Sequence, residues 1–438
     1  MKPVYNGDKF VTNKEYFSKA KIGLFTTYFY GPYYRPGTED YGSTCKSAQD
    51  RTRADSLDQF ADAFDAQRFA RVADSMAAQY VTFTVCHAGF NILFPSKTMI
   101  EAGLPYKVSK RDVIRDLLDA LAPYGIKLAL YIWHGVGQGG CMTDDELRIL
   151  GWGANETTKA HGDFIRQFAR EIGERYENEI AGLWFDGVWD MDRSVIASVR
   201  ETNKGAVIYG SYGHPADGAH FNPALMDFWT SEYYGPLPSA PSDLWPTHFS
   251  QIGKIFGSDW WASKRPVPKI TLATAREMFR YTVRVAATGG QCNGGLHWAA
   301  GPYMDNSWEE GREQLMAEYG KLIRKHKEGL FDTVPSLAYP THSGSVLSRE
   351  HWGVATQSFD NSKTYLHVLN APPSNTLRLP EPATFNMVIS EGHGIHRFTR
   401  AEITGREAGL EKTGDGWAVT LPAGISWDAD DTVVTLWT

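Results

Sequence analysis

Cysteine is scarce. The 438 residues hold four, Cys45, Cys86, Cys141 and Cys292, and no two stand in C-x-x-C spacing, which argues against a structural zinc site. Cys86 and Cys292 lie in apolar, strand-like runs and read as buried thiols, so no structural disulfide is expected. No stretch approaches 18 consecutive apolar residues, so no transmembrane helix is expected. The opening Met1-Lys2-Pro3-Val4-Tyr5-Asn6 has no apolar signal core, which fits a cytoplasmic chain, or an exported one whose leader has been removed. There is no long run of Lys or Arg and the net charge is −7, the wrong sign for a phosphate backbone or an anionic membrane surface. Nucleic acid and membranes are therefore not expected partners. No helical His-x-x-x-His spacing or other cluster of His, Cys and acids occurs, so neither a metal nor a cofactor is expected.

Aromatic residues are plentiful by contrast, with 14 Trp, 21 Tyr and 22 Phe. Apolar sugar faces stack on such rings, although a large aromatic core would account for them equally well.

From about residue 20 to residue 330, β-branched and aromatic runs alternate with helical periodicity. Gly23-Leu24-Phe25, Tyr80–Cys86, Ile126–Trp133, Ile180–Phe185, Ala206–Tyr209, Ala224–Ser231 and Gly294–Ala299 read as strands. Phe64–Ala78, Arg111–Tyr124, Thr157–Tyr176, Ser194–Thr202, Ala275–Ala287 and Glu309–Lys327 read as helices. Gly125 stands where a helix C-cap belongs. Seven or eight β–α units in this length predict a (β/α)8-type barrel. An open doubly wound sheet is the rival, but it would usually carry a Gly-rich phosphate-binding turn, and none is visible. After Pro335 helical periodicity stops and short strands alternate with Pro, Gly, Asn and Asp, as in a β-sandwich. The expected division is residues 1–333 for a catalytic barrel and 334–438 for a C-terminal β-sandwich.

Barrel active sites sit at the carboxyl ends of the strands, so the polar residue just past each apolar run is the candidate. Leu183-Trp184-Phe185 delivers Asp186 directly before Gly187. A nucleophile needs such rigid support, while an Asp-Gly turn needs no chemistry at all. Glu232 lies 46 residues later at another expected strand end, and could be the second carboxyl of a retaining glycosidase pair or a solvated loop acid. His87 and His134 follow strands and could bond sugar hydroxyls. Tyr131, Trp133, Trp184 and Trp298 are the candidate walls of a sugar pocket.

Several ordered landmarks resemble the α-L-fucosidases of glycoside hydrolase family 29. Lys21–Phe25 resembles the family's opening strand, and Ala78–Phe90 its strand that runs into a histidine pair. Tyr124–Tyr131 resembles the GLKFGLYYS segment, and Leu183-Trp184-Phe185-Asp186-Gly187 matches the nucleophile strand LWFDG. Thr288–Leu296, with Gly301-Pro302 and Asp305, resembles the late glycine-rich element. Gly320–Thr333 resembles the family's helix that ends in NGEAIYGT. The resemblance covers about residues 20–333. It implies a retaining exo-glycosidase that removes a terminal α-L-fucosyl residue from an oligosaccharide or glycoconjugate, with Asp186 as nucleophile and Glu232 as acid/base. The chain also departs from the family. The first-strand His-Trp pair is Thr27-Tyr28 here, His-His-Asp is reduced to His87-Ala88, and an Asn-Asp-Arg after the fifth strand is replaced by Tyr209–Gly213. Because such positions help to grip fucose hydroxyls in the family, two rivals stay open: a clan relative acting on a galactoside or modified fucoside, and a catalytically silent sugar-binding barrel.

Overall fold

The computed structural model describes residues 12–30, 56–87, 89–133, 142–152, 159–177, 179–186, 193–211, 226–233, 249–254, 272–287, 295–340, 352–383 and 398–438. Eight parallel strands close into a barrel in chain order: β1 Ile22–Thr26, β2 Tyr80–Cys86, β3 Lys127–Trp133, β4 Gly182–Asp186, β5 Val207–Ser211, β6 Phe228–Tyr233, β7 Phe249–Lys254 and β8 Gly295–Ala299. β1 and β8 pair directly, Gly23 opposite His297, and that seam closes the ring. A Cβ on Gly23 would sit 2.4 Å from the Tyr80 ring and 2.9 Å from His297 Cβ. Glycine is needed there for close approach rather than for an unusual φ.

The helices of this region are α1 Asn13–Lys19, α2 Leu57–Asp62, α3 Ala66–Ser75, α4 Lys97–Glu101, α5 Val113–Leu121, α6 Asp144–Ile149, α7 Lys159–Arg175, α8 Arg193–Thr202, α9 Leu272–Ala287 and α10 Arg312–Lys325. The starts of α1 to α6 are set by short polar side chains that accept otherwise unpaired N–H groups. Asp65 accepts from Arg68 N before α3, and Asp112 from Arg115 N before α5. α5 buries Val113, Ile114, Leu117, Ala120 and Leu121, a stripe at helical spacing. The turn that follows it ends at Gly125, in the left-handed region with φ 67°, as its position in the sequence implies.

Inside the barrel, aromatic side chains are stacked in layers. Phe17 of α1 plugs the amino-terminal end, its ring 4.9 Å from Tyr80, 6.3 Å from Tyr209 and 6.1 Å from Phe228. Above it, Trp184 lies 4.9 Å from Phe25, 4.8 Å from Tyr131, 5.5 Å from His297 and 6.0 Å from Tyr209. The barrel interior is thus a packed core that leaves only its carboxyl-terminal mouth for chemistry.

The remaining strands are β9 Thr333–Pro335, β10 Gly353–Ser358, β11 Lys363–Val368, β12 Thr376–Pro380, β13 Arg400–Ile403, β14 Arg406–Lys412, β15 Gly416–Thr420 and β16 Thr432–Trp437. They run antiparallel in the order β12-β15-β14-β13-β16-β11-β10-β9. β14 serves both halves: Arg406–Ala408 pair with β13 and Gly409–Lys412 with β15. Leu366, Val368, Leu377, Leu379, Ile403, Val419 and Leu436 form a core of their own between the two halves. This is the sandwich expected from the loss of helical period.

Two strands differ from expectation. β6 begins at Phe228 rather than Ala224, because Asp227 is engaged by side chain and backbone just before it: its carboxylate accepts from Ile208 N and Arg200 Nη1, both at 2.9 Å. β7, Phe-Ser-Gln-Ile-Gly-Lys, was not expected at all; its polar residues and glycine break the apolar run that marks most parallel barrel strands. Cys86 is a buried thiol, as expected; Cys45, Cys141 and Cys292 lie outside the described residues.

Candidate active site

Asp186 is the last residue of β4, with Trp133 of β3 and Ser211 of β5 as its register partners. Strand alternation puts it on the same face as Trp184, directly above the aromatic layer that fills the barrel. It stands half-buried on that floor, at the carboxyl-terminal mouth. Tyr131, from the neighbouring strand, donates its hydroxyl to Asp186 Oδ2 at 2.5 Å. A phenol can only donate to an ionised carboxylate, and this length is typical of an O–H···O⁻ bond. One carboxylate oxygen is thereby fixed in direction by a buried residue.

His87 sits one residue past β2. Its ring lies parallel to Tyr131 at 5.8 Å and 6°, and also stacks against Phe29 at 4.9 Å. Burial pushes its pKa down to about 3. The imidazole is therefore neutral across the working range of most enzymes, able to donate from one nitrogen and accept at the other. Phe90, three residues on, has φ 52° although it is neither Gly nor Asn, and it is wholly buried against Trp152, Phe164 and Phe168. Its N–H donates to the His87 carbonyl at 2.7 Å. The turn that carries His87 is thus closed by a bond across it and held by packing against a strained conformation.

The other expected residues fall into three groups. Glu232 is the fifth residue of β6, two strands round from β4. Ser211 pairs with both Asp186 and Thr230, so the Glu232 backbone lies two residues further toward the mouth than Asp186; its side chain lies outside the described residues. The same holds for His134 and for the Trp133 side chain, although the Trp133 backbone pairs with Asp186. Trp184 is buried beneath Asp186 and forms the floor rather than a wall. Trp298 is the correction. It packs 5.8 Å from Tyr281 of α9 and 6.3 Å from Tyr319 of α10, between the barrel and its helices. Successive strand residues face opposite sides, so its neighbour His297 takes the inward position against Phe25, Tyr80 and Trp184. Phe29 was not singled out from the sequence; an aromatic residue just beyond β1 is the signal that could have found it.

A model of the alpha-L-fucosidase family matches residues 5–328, the stretch that contains the whole barrel. The chain belongs to the alpha-L-fucosidase family. The Caenorhabditis elegans protein named "Putative alpha-L-fucosidase" is 23% identical to it over 322 residues, 69% of this chain and 57% of that protein. This chain therefore spans little more than half the length of that curated relative. Among solved structures, alpha-L-fucosidase isoenzyme 1 from Paenibacillus thiaminolyticus superposes with a TM-score of 0.66 at 17% identity, over 97% of this chain and 98% of that one. An alpha-L-fucosidase from Bacteroides thetaiotaomicron, trapped as a covalent intermediate with 2-fluoro-fucosyl fluoride, does so with a TM-score of 0.66 at 16% identity, over 97% and 95%. At such identities the structures share the alpha-L-fucosidase fold, barrel and C-terminal β domain together.

Proposed function

We propose that the chain is a retaining exo-acting glycosidase that removes a terminal α-L-fucosyl residue from an oligosaccharide or glycoconjugate. The observation that carries this reading is Asp186 at the end of β4, at the mouth of a closed barrel and oriented by the Tyr131 hydroxyl. With Oδ2 bonded to Tyr131, Oδ1 attacks the anomeric carbon, forming a covalent glycosyl-enzyme as the aglycone oxygen departs. Glu232 protonates that oxygen and then takes a proton from the water that releases the sugar, so the configuration is retained. Such chemistry requires the two carboxyl groups to lie about 5–5.5 Å apart when the site is assembled. His87 does not fit the acid role, because burial holds its pKa down to about 3, and the N–H of the neutral ring is too weak an acid to protonate a leaving oxygen. Its neutral ring suits a sugar hydroxyl instead.

A second reading has its own support. Thr27 and Tyr28 stand where the family carries a His-Trp pair. Tyr28 is buried in the helix layer, stacked 4.2 Å from Phe60 with its hydroxyl on the Phe60 carbonyl. That position supplies core packing here, which favours a pocket altered toward another sugar.

Hydrolysis of 4-nitrophenyl α-L-fucoside and α-D-galactoside, with the product anomer followed by NMR, decides between them. Retention on the fucoside is expected. Inversion would remove the covalent intermediate, and turnover of the galactoside alone would move the substrate to the second reading. In Glu232→Ala, poor leaving groups should suffer most, and azide should restore turnover of activated aryl glycosides. Wild-type behaviour of that variant on every substrate would place the acid/base elsewhere.

A further inference from the structure

Lys107 is the last residue of a short 3-10 turn, Pro105–Lys107, in the segment between β2 and β3, and Glu146 is the third residue of α6, in the segment between β3 and β4. Both side chains are buried, and Lys107 Nζ lies 3.0 Å from Glu146 Oε1. The same ammonium donates to the carbonyl of Gly89 at 2.8 Å. Glu146 is held from its own side as well: its Oε2 accepts from Thr143 N at 2.8 Å, and its Oε1 from the Tyr106 hydroxyl at 3.0 Å. Burial works against its charge, but the Thr143 N–H, Lys107 and Tyr106 outweigh it and keep the carboxyl below its ordinary range. A buried ion pair is weak evidence for stability, since desolvation offsets the attraction. Its position is more informative. Gly89 is two residues past His87, in the turn closed by Phe90 N–H on the His87 carbonyl, and His87 is the ring pressed on Tyr131, which orients Asp186.

We propose that Lys107 and Glu146 are positioning residues for the glycosidase reaction: together they tie the β2 mouth turn to α6 at the β3 mouth, so that His87 is presented to the sugar in one place. This rests on the reading of Asp186 and His87 as parts of the sugar site. Neither residue touches substrate; both act through the Gly89 carbonyl.

The test uses the full chain and two variants, Lys107→Met and the double variant Lys107→Met/Glu146→Gln. The double leaves no unpaired buried charge, and the amide oxygen that Glu146→Gln introduces can still accept the capping bond from Thr143 N, so it keeps a folded control in hand. Two readouts are taken: hydrogen exchange of the 87–92 amides, which needs no turnover, and the split of kcat and KM on 4-nitrophenyl α-L-fucoside. In the double variant the 87–92 amides should exchange at least tenfold faster. KM should rise about tenfold with kcat nearly unchanged, the pattern of a lost binding contact, while the melting temperature recovers toward wild type. Unchanged exchange overturns the anchor. Faster exchange with an unchanged KM makes the pair structural only, and also overturns the proposal. A wild-type chain that cleaves no aryl glycoside sinks the functional reading, and the positioning role with it.

Discussion

Buried histidine is used in opposite ways by the barrel and by the sandwich. His87, His161 and His297 lie in the barrel region, and burial drives their pKa values down to about 3, 4 and 3. His161 still bonds through Nδ1 to the Leu150 carbonyl, but that bond raises its pKa by less than burial lowers it. His367 of β11 is equally buried, yet its pKa is raised. Desolvation opposes the charge, and Asp431 at 2.6 Å from Nδ1 and the Gly329 carbonyl at 2.9 Å from Nε2 overcome it. Both ring nitrogens face acceptors, so only the doubly protonated ring satisfies them. His326 approaches Asp431 to 4.0 Å, with its own pKa lowered, chiefly by burial. A neutral ring can be packed among aromatic side chains, as His161 is against Trp152 and His297 against Tyr80 and Trp184, and at the mouth a neutral His87 fits the proposed sugar site. A charged ring suits the junction, where Gly329 comes from the turn after α10 and is gripped by the sandwich through His367 and Thr356. Arg276 of α9 with Asp430, and Lys325 of α10 with Asp428, add ion pairs across the same junction. Burial alone does not set the state of a histidine; the acceptors around it do.

Four measurements would break or sharpen that contrast. Asp186→Asn should lower kcat by roughly 10⁴-fold or more, as removal of a nucleophile does, with folding largely intact by circular dichroism; near-normal turnover ends the catalytic assignment. Asp431→Asn leaves His367 facing an uncharged partner and should cost about 3 kcal/mol in urea unfolding, the scale for breaking a buried pair. The kcat of its folded fraction should stay at the wild-type value, and a loss of kcat without loss of stability would show that the junction speaks to the mouth. Tyr131→Phe should reduce kcat/KM by about 10- to 100-fold, the equivalent of the ~1.5–3 kcal/mol of a hydrogen bond to a charged group; an effect below twofold would mean that Asp186 is oriented by something else.

The smallest effect per step is in the pH dependence of stability, and its two arms have opposite sign. The barrel histidines bind a proton when unfolded but not when folded, so their contribution is complete above pH ~6.5 and is lost as pH falls toward 3, at about 1.4 kcal/mol per pH unit for each fully titrating group. His367 holds its proton when folded, so its contribution is complete below pH ~6.5 and is lost as pH rises through its raised pKa. Urea titrations from pH 4 to 9 should show the alkaline arm flatten in His367→Phe while the acid arm persists. An alkaline arm unchanged in that variant would refute the charged junction.

The barrel was legible because most of its strands are uninterrupted apolar runs, and because Asp186 follows one of them directly. β7 was hidden by Ser250, Gln251 and Gly253, polar and small residues in a strand whose neighbours on both sides supply its pairing. Trp298 shows how fine the limit is. Its strand was read correctly, but inward and outward faces exchange with a shift of one residue, and sequence alone set the parity wrongly, so His297 went unnoticed. The charged junction was not legible either. It brings Gly329, His367 and Asp431 together from places far apart in the chain, and neither His367 nor Asp431 stands in a motif.

The β1–β8 seam has a consequence for how the chain folds. Every other strand of the barrel pairs with the strand before or after it in sequence, but Gly23 must wait for His297. Closing so long a loop is entropically costly and slow. Until it happens, β1 and β8 are open parallel edges of the kind that recruit other chains. A side chain at position 23 would obstruct that last step against Tyr80 and His297. Gly23→Val should therefore show itself during refolding, as aggregation that grows with protein concentration, before it shows itself in any property of the mouth.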